Sequence, residues 1–235
     1  MAPYDPDRHY RRSIRLKGYD YTQPGAYFVT ICTHQRTPLF GQVVDGEMIL
    51  NAFGEIVREE WFKTAQIRPY VELYDDEFIV MPNHIHGIIR IVADPTAVVG
   101  ARRRRAPTRR RRAPTGRRRA PTVEQFGKPV PGSIPTIVRA FKSAVTKRIN
   151  QLRGTPGAPV WQRNYYEHII RTERTLIAIR RYIIENPARW SLDRYNPHTT
   201  GPDPMVRDIW HMMRTDVWQP TIDNPLPPIA QEDDR

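Results

Sequence analysis

The stretch "MPNHIHGIIRI" (residues 81–91) decides how this chain reads. Pro82-Asn83 is a turn signal, and the residues after it alternate histidine with isoleucine. In an extended strand, residues two apart point to the same side. His84, His86, Ile88 and Arg90 therefore share one face. Ile85, Ile89 and Ile91 share the other, which is the natural core side. Two imidazoles side by side can both offer a neutral nitrogen to one cation. The plainer alternative is a pair of solvated histidines on the wet face of a strand. A metal site needs a third donor from elsewhere in the fold.

The neighbouring segments supply the frame. "AYFVTICT" (26–33) is rich in β-branched and aromatic residues and follows Pro24-Gly25, so it reads as a strand. "NAFGEIVREEWFKTA" (51–65) sets Phe53, Ile56, Val57 and Trp61 at helical spacing. "VELYDDEFIVM" (71–81) reads as one strand, closing a hairpin with 84–92 through Pro82-Asn83. "SIPTIVRAFKSAVTKRINQL" (133–152) is a helix with Ile134, Ile137, Val138, Phe141 and Val145 on its apolar face. "YYEHIIR" (165–171) is a short strand. "TERTLIAIRRYIIEN" (172–186) is a helix with Thr172 as its cap, ending before Pro187. The order β, α, β, β, α, β, α predicts an α+β fold of the ferredoxin-like kind, an antiparallel sheet with packed helices. The expected organisation is an arm over 1–20, one domain over 21–192, and a proline-rich tail over 193–235. "MVRDIWHMMRTDVW" in that tail is compatible with one more helix of no assigned position.

The 235 residues carry a net charge of +12. Eleven of the positive charges are arginines between residues 102 and 119, and without them the balance is +1. "RRRRAPTRRRRAPTGRRRAPT" (102–122) repeats a short unit with almost nothing to bury, so 101–128 is expected to be a disordered insertion. Such an arm would grip phosphates without sequence preference; equally, it reads as a repeat expansion tolerated in a surface loop. The single cysteine, Cys32, excludes an internal disulfide and suggests a reducing compartment. The absence of a long apolar run speaks against a membrane span. The N-terminus lacks an apolar signal core, so the expected location is the cytoplasm, near the nucleoid.

Candidates for the third donor lie in "RRYIIENP". At about 100° per residue, Tyr182 and Asn186 fall just beside the stripe of Leu176, Ile179 and Ile183, one turn apart. A phenol there could reach a metal-bound phosphate, and an amide oxygen could join the histidines. An interfacial tyrosine and a helix-ending asparagine would fit the same pattern.

"MPNHIHGII", followed by "FKSAVTKRIN", "WQRNYYEHIIR" and "RRYIIENPARW", resembles the single-tyrosine HUH transposases, in particular the REP-associated tyrosine transposases. "RRSIRLKGYDYTQPGAYFVTICTHQR" also looks like that subgroup. The similarity covers roughly residues 10–192 apart from the arginine insertion, with the motifs in the family's order. The resemblance implies a nuclease and strand transferase acting on single-stranded DNA beside hairpins. It makes His84 and His86 the paired metal ligands, Tyr182 the nucleophile and Asn186 the third ligand. Tyr165 and Tyr166 are rival nucleophiles at positions where the family has structural aromatics. Magnesium or manganese is the expected ion, since the task is phosphate coordination by a mixed nitrogen and oxygen shell. Lys142, Ser143, Arg171 and Arg90 are candidate DNA contacts, and a homodimer is one expected state. Two other readings are a domesticated hairpin binder and an RNA binder acting through the arginine arm.

Overall fold

The computed structural model describes residues 19–93 and 130–215. The expected N-terminal arm (all but its last two residues), the arginine insertion and the chain beyond 215 lie outside them.

Strand β1 (Gly25–Cys32) runs through the middle of an antiparallel sheet. A second pair of strands, β2 (Gly41–Val44) and β3 (Glu47–Leu50), forms a separate hairpin. Its turn, Asp45-Gly46, has φ of 51° and 80°. Both values lie in the left-handed region that such tight hairpins require. Helix α1 (Ala52–Gln66) follows, capped by Asn51, whose side chain accepts from the backbone N–H groups of Phe53 and Gly54.

The segment expected as one strand over 71–81 is broken. It forms β4 (Val71–Glu72), a 3₁₀ turn over Asp75–Glu77, and β5 (Phe78–Met81). Aspartates are poor strand formers, and Glu77 turns inward, fully buried, to receive Arg90. Strand β6 (His84–Ile91) returns after the Pro82-Asn83 turn, as the sequence predicts. Helix α2 (Ile134–Arg153), strand β7 (Tyr166–Ile170) and helix α3 (Glu173–Glu185) complete the expected order. Thr172 caps α3 by accepting from Thr175 N–H. A further helix, α4 (Pro204–Thr215), packs beside α3.

The sheet order is β4–β6–β1–β7, with β5 also paired to β6. Leaving out the two-residue β4, the order β5–β6–β1–β7 is the ferredoxin-like arrangement, an α+β fold as the pattern predicts. Strand alternation splits the core in two. On one face Tyr27, Val29, Ile31, Ile85, Ile89 and Ile91 meet Trp61 of α1 and Ile137, Phe141 and Val145 of α2. On the other, Ala26, Phe28, Ile88 and Ile170 meet Leu176, Ile179 and Ile183 of α3 and Ile209 and Met213 of α4. The face carrying the histidines is thus not wet. His84 and His86 are 0% and 1% exposed, which removes the solvated-strand alternative.

Gly87 marks a close approach in the first layer. Trp61 and Phe78 stack at 4.5 Å over it, and a Cβ at residue 87 would stand 2.4 Å from the indole. Gly87→Val should therefore destabilise the fold by about 1–3 kcal/mol through overpacking. Urea denaturation of the variant against the parent measures this as a lower midpoint at unchanged slope.

Candidate functional site

Hairpin β5–β6 puts His84 and His86 one above the other on the strand, opposite Cys32 and Thr30 of β1. Each ring is held by its Nδ1. His84 Nδ1 lies 2.9 Å from Asn83 Oδ1, and His86 Nδ1 lies 2.8 Å from Thr30 Oγ1. Asn83 cannot turn over, because its Nδ2 donates to the carbonyls of Arg36 (3.0 Å) and Tyr195 (2.7 Å). Its oxygen must accept, so His84 carries its proton on Nδ1 and presents a bare Nε2. That Nε2 is 3.0 Å from His86 Nε2.

Helix α3 brings Tyr182 onto the same point. Its hydroxyl is 2.9 Å from His86 Nε2, and the rings are 4.9 Å apart. Tyr182 is 6% exposed, and its phenol is pushed well above its ordinary pKa, first by burial and then by Asp193. Asn186, one turn on, ends the helix and is buried. Its Nδ2 donates to Asp193 Oδ2 at 3.3 Å. Its Oδ1 is buried and has no hydrogen-bond partner among the described residues.

Asp193 is the residue the sequence reading missed. It follows a 3₁₀ turn over Trp190–Leu192 and stands 3.7 Å from His84 Nε2. His84, His86 and Asp193 each offer a ligand atom within 4.8 Å of the others, a group that could hold a metal ion. Asp193 lies one residue past the expected domain end at 192. A lone aspartate past a helix end carries no spacing signal, so nothing in the sequence marked it. Burial holds the Asp193 carboxyl above its usual range, opposed by the Tyr195 N–H and Asn186 amide that it accepts from.

The donor set fits a divalent cation on two observations. First, cis ligands about 2.1 Å from an octahedral ion stand about 3 Å apart, which is the separation of the two Nε2 atoms. Second, Asn186 Oδ1 is a buried acceptor lacking a donor. The group that could hold an ion is two imidazole nitrogens and one carboxylate.

The remaining candidates separate. Lys142 donates through Nζ to the carbonyls of Gln162 (2.6 Å) and Arg163 (3.1 Å), pinning that segment to α2. Burial pulls its pKa down to about 8. Ser143 is exposed beside it, and both border a groove of about 790 Å³ with Lys147 and Arg163. Gln162 bonds to Cys32, so the groove lies at the histidine end of the sheet. Arg171 follows β7 at the opposite end, since Ile170 pairs with Ala26. Arg90 also pairs with Ala26 and is buried against Glu77, so the expectation of a DNA contact there is corrected: its guanidinium is turned inward. Of the rival tyrosines, Tyr166 points its hydroxyl at Met213 Sδ, 3.6 Å away, and Tyr165 packs against the α1–α2 core.

Burial keeps both histidines neutral; His86 is lowered to about 3 and His84 well below 6.5. The unfolded chain binds their protons from about pH 6.5 downward. Stability is thus whole above that pH and falls as pH drops from about 6.5 toward 3, at up to about 1.4 kcal/mol per pH unit for each ring. Denaturant titration of the metal-free protein at stepped pH should show this slope. The doubly substituted His84→Gln, His86→Gln protein should show a flatter one.

No protein-family model matches the chain. Its fold is similar to the solved structure of a REP-associated tyrosine transposase bound to a REP hairpin. That likeness has a TM-score of 0.41 and 17% identity, over 81% of this chain and 74% of that one. An uncharacterized protein of Haemophilus influenzae is 38% identical over 191 residues, which cover 81% of this chain and 96% of that protein. With identity at that level along nearly the whole of its length, the chain belongs to the same family as the Haemophilus influenzae protein.

Proposed function

We propose that this chain is a metal-dependent single-stranded DNA nuclease and strand transferase, a single-tyrosine HUH transposase of the REP-associated kind. The observation that carries the reading is the convergence of the Tyr182 hydroxyl on the paired Nε2 atoms of His84 and His86. A phenol beside two imidazole nitrogens 3.0 Å apart, an orphaned amide oxygen and a carboxylate is a poor structural solution for a core. It is a good one for a cation that in turn would position a phosphate.

His84, His86, Asp193 and Asn186 would hold magnesium or manganese. When bound, such an ion polarises the scissile phosphate and offsets the charge that grows on the leaving oxygen. Tyr182 supplies the nucleophile. Its oxygen forms a bond to phosphorus as the bond from phosphorus to the 3′ oxygen breaks. The phenolic proton is released, and the departing 3′ oxygen takes one up. The product is a 5′-phosphotyrosine and a free 3′-hydroxyl, and the hydroxyl of another strand can reverse the step. Asn83 and Thr30 hold the rings, and Leu176, Ile179 and Ile183 seat the helix that carries Tyr182. Phosphates flanking the cleavage point would lie in the groove of Lys142, Ser143, Lys147 and Arg163. A hairpin stem reaching the far end of the sheet would meet Arg171. That end is about 13 Å from His86, four residues at about 3.3 Å each.

The site is covered. Arg194, Tyr195, Val206, Ile209, Trp210 and Met213 close over Tyr182 and leave about 20 Å³, room for little more than a water. A DNA strand reaches the tyrosine once this cover lifts, and the carriers of the cover are Tyr195 and α4.

Incubation with single-stranded hairpin DNA and manganese should give a covalent protein–DNA band on a denaturing gel. Tyr182→Phe should abolish it, and His86→Ala should reduce it by at least about 10²-fold. A band that survives in Tyr182→Phe refutes the nucleophile. Binding of hairpins without any band in the parent favours a binder that cleaves nothing. Millimolar manganese should also raise the parent's melting temperature by mass action on the folded state, and His84→Ala should lose that rise. Trp210→Ala, which thins the cover where Trp210 meets Tyr166 edge-on with ring centres 4.7 Å apart, should speed adduct formation in single-turnover assays.

A further inference from the structure

Glu77 is 0% exposed and lies outside the catalytic cluster, yet two arginines from two different elements converge on it. Arg90 of β6 forks onto it, Nε to Oε2 at 3.0 Å and a terminal nitrogen to Oε1 at 2.5 Å. Arg180 of α3 donates through Nε to the same Oε1 at 2.8 Å and lies 3.6 Å from Asp76. The ring of Tyr74 covers Arg90, with its guanidinium carbon 5.3 Å from the centroid. Arg90 stands on the same strand as the histidines, on the same face as His86. Arg180 is two residues before Tyr182 on the same helix.

Apart from the Tyr182–His86 hydrogen bond, the rest of the contact between α3 and the sheet is apolar: Leu176, Ile179 and Ile183 against Phe28, Ile88 and Ile170. Apolar contacts are not directional, so they press the helix onto the sheet without setting its roll. A roll of about 10° displaces a side-chain end about 6 Å from the axis by about 1 Å. Errors of that size can lower a rate by about 10²-fold. The Arg90–Glu77 fork holds the carboxylate at one angle, and the single Arg180 Nε bond to Oε1 ties α3 to that fixed acceptor. Best attested for such pairs is the fixing of register rather than the supply of stability.

We infer that Glu77, bridging Arg90 and Arg180, is a positioning device that fixes the roll of α3 on β6 and so aims Tyr182 at the histidine pair of its own chain. The inference rests on the nuclease reading for its consequence in catalysis, but the geometric claim stands apart from it. Arg180 touches neither the histidines nor any reacting atom, and is therefore a positioning residue.

Arg180→Ala is the variant to use. Arg180 is partly exposed at 21%, and its loss leaves Glu77 paired with Arg90, so the fold is kept. Two measurements decide. In the first, single-turnover adduct formation on hairpin DNA with manganese should fall by about 10- to 100-fold. Manganese affinity, read by electron paramagnetic resonance, should stay where it was, and Arg180→Lys should recover part of the rate. An unchanged rate, or a manganese affinity that falls in step with the rate, overturns the inference. In the second, hydrogen exchange of the α3 amides (173–185) should quicken while β6 stays protected. In parallel the ¹⁵N shift of His86 Nε2, which reports the Tyr182 hydrogen bond, should move. If α3 protection and that shift both match the parent, the inference fails. Absence of any adduct in the parent would defeat the nuclease reading instead, and the second measurement would still decide this one.

Discussion

Asn83 accepts the Nδ1 proton of His84 while giving both of its own amide protons to the carbonyls of Arg36 and Tyr195. Everything at the site depends on that three-way bond. It fixes one tautomer of His84, and with it the direction in which a lone pair points. It also ties the turn before β6 to the segment after α3, so the histidines and their covering residues are placed together. Partners of this kind, which hold a ligand through its second nitrogen, orient the ring and set its basicity.

The two layers of the fold have different chemistry for a physical reason. The face toward α1 and α2 is closed by aromatic and aliphatic side chains, with Gly87 leaving room for Trp61 to lie on the strand. The face toward α3 and α4 must close over two imidazoles, a phenol, an amide and a carboxylate. Burying such groups is tolerable only where each finds a partner. Most do, through Thr30, Asn83 and Tyr195. Asn186 Oδ1 does not, and the two Nε2 atoms lie 3.0 Å apart.

Charge is arranged with the same economy. The chain's large positive balance comes from the arginine insertion, not from the folded part. Within the fold, arginines that look solvent-facing in the sequence are committed to carboxylates: Arg90 and Arg180 to Glu77, Arg148 to Glu59 and Glu60, Arg189 to Asp203. The Arg189–Asp203 pair anchors the chain just before α4, the helix that covers Tyr182. Ion pairs here act chiefly as fasteners between elements.

The sequence by itself determined the strand-to-strand hairpin at Pro82-Asn83, the three helices α1, α2 and α3, the cap at Thr172, and the sharing of one strand face by His84 and His86. Those are matters of local periodicity and turn chemistry, which a few neighbouring residues settle. It also put Tyr182 and Asn186 one turn apart at the edge of an apolar stripe. Tertiary structure alone decided that the histidine face is buried, because its cover comes from α4 and from residues past 192, far along the chain. It alone brought in Asp193, and it alone turned Arg90 inward toward Glu77. Contacts of that kind join residues tens of positions apart, and no spacing in the chain records them until the sheet has brought its strands side by side.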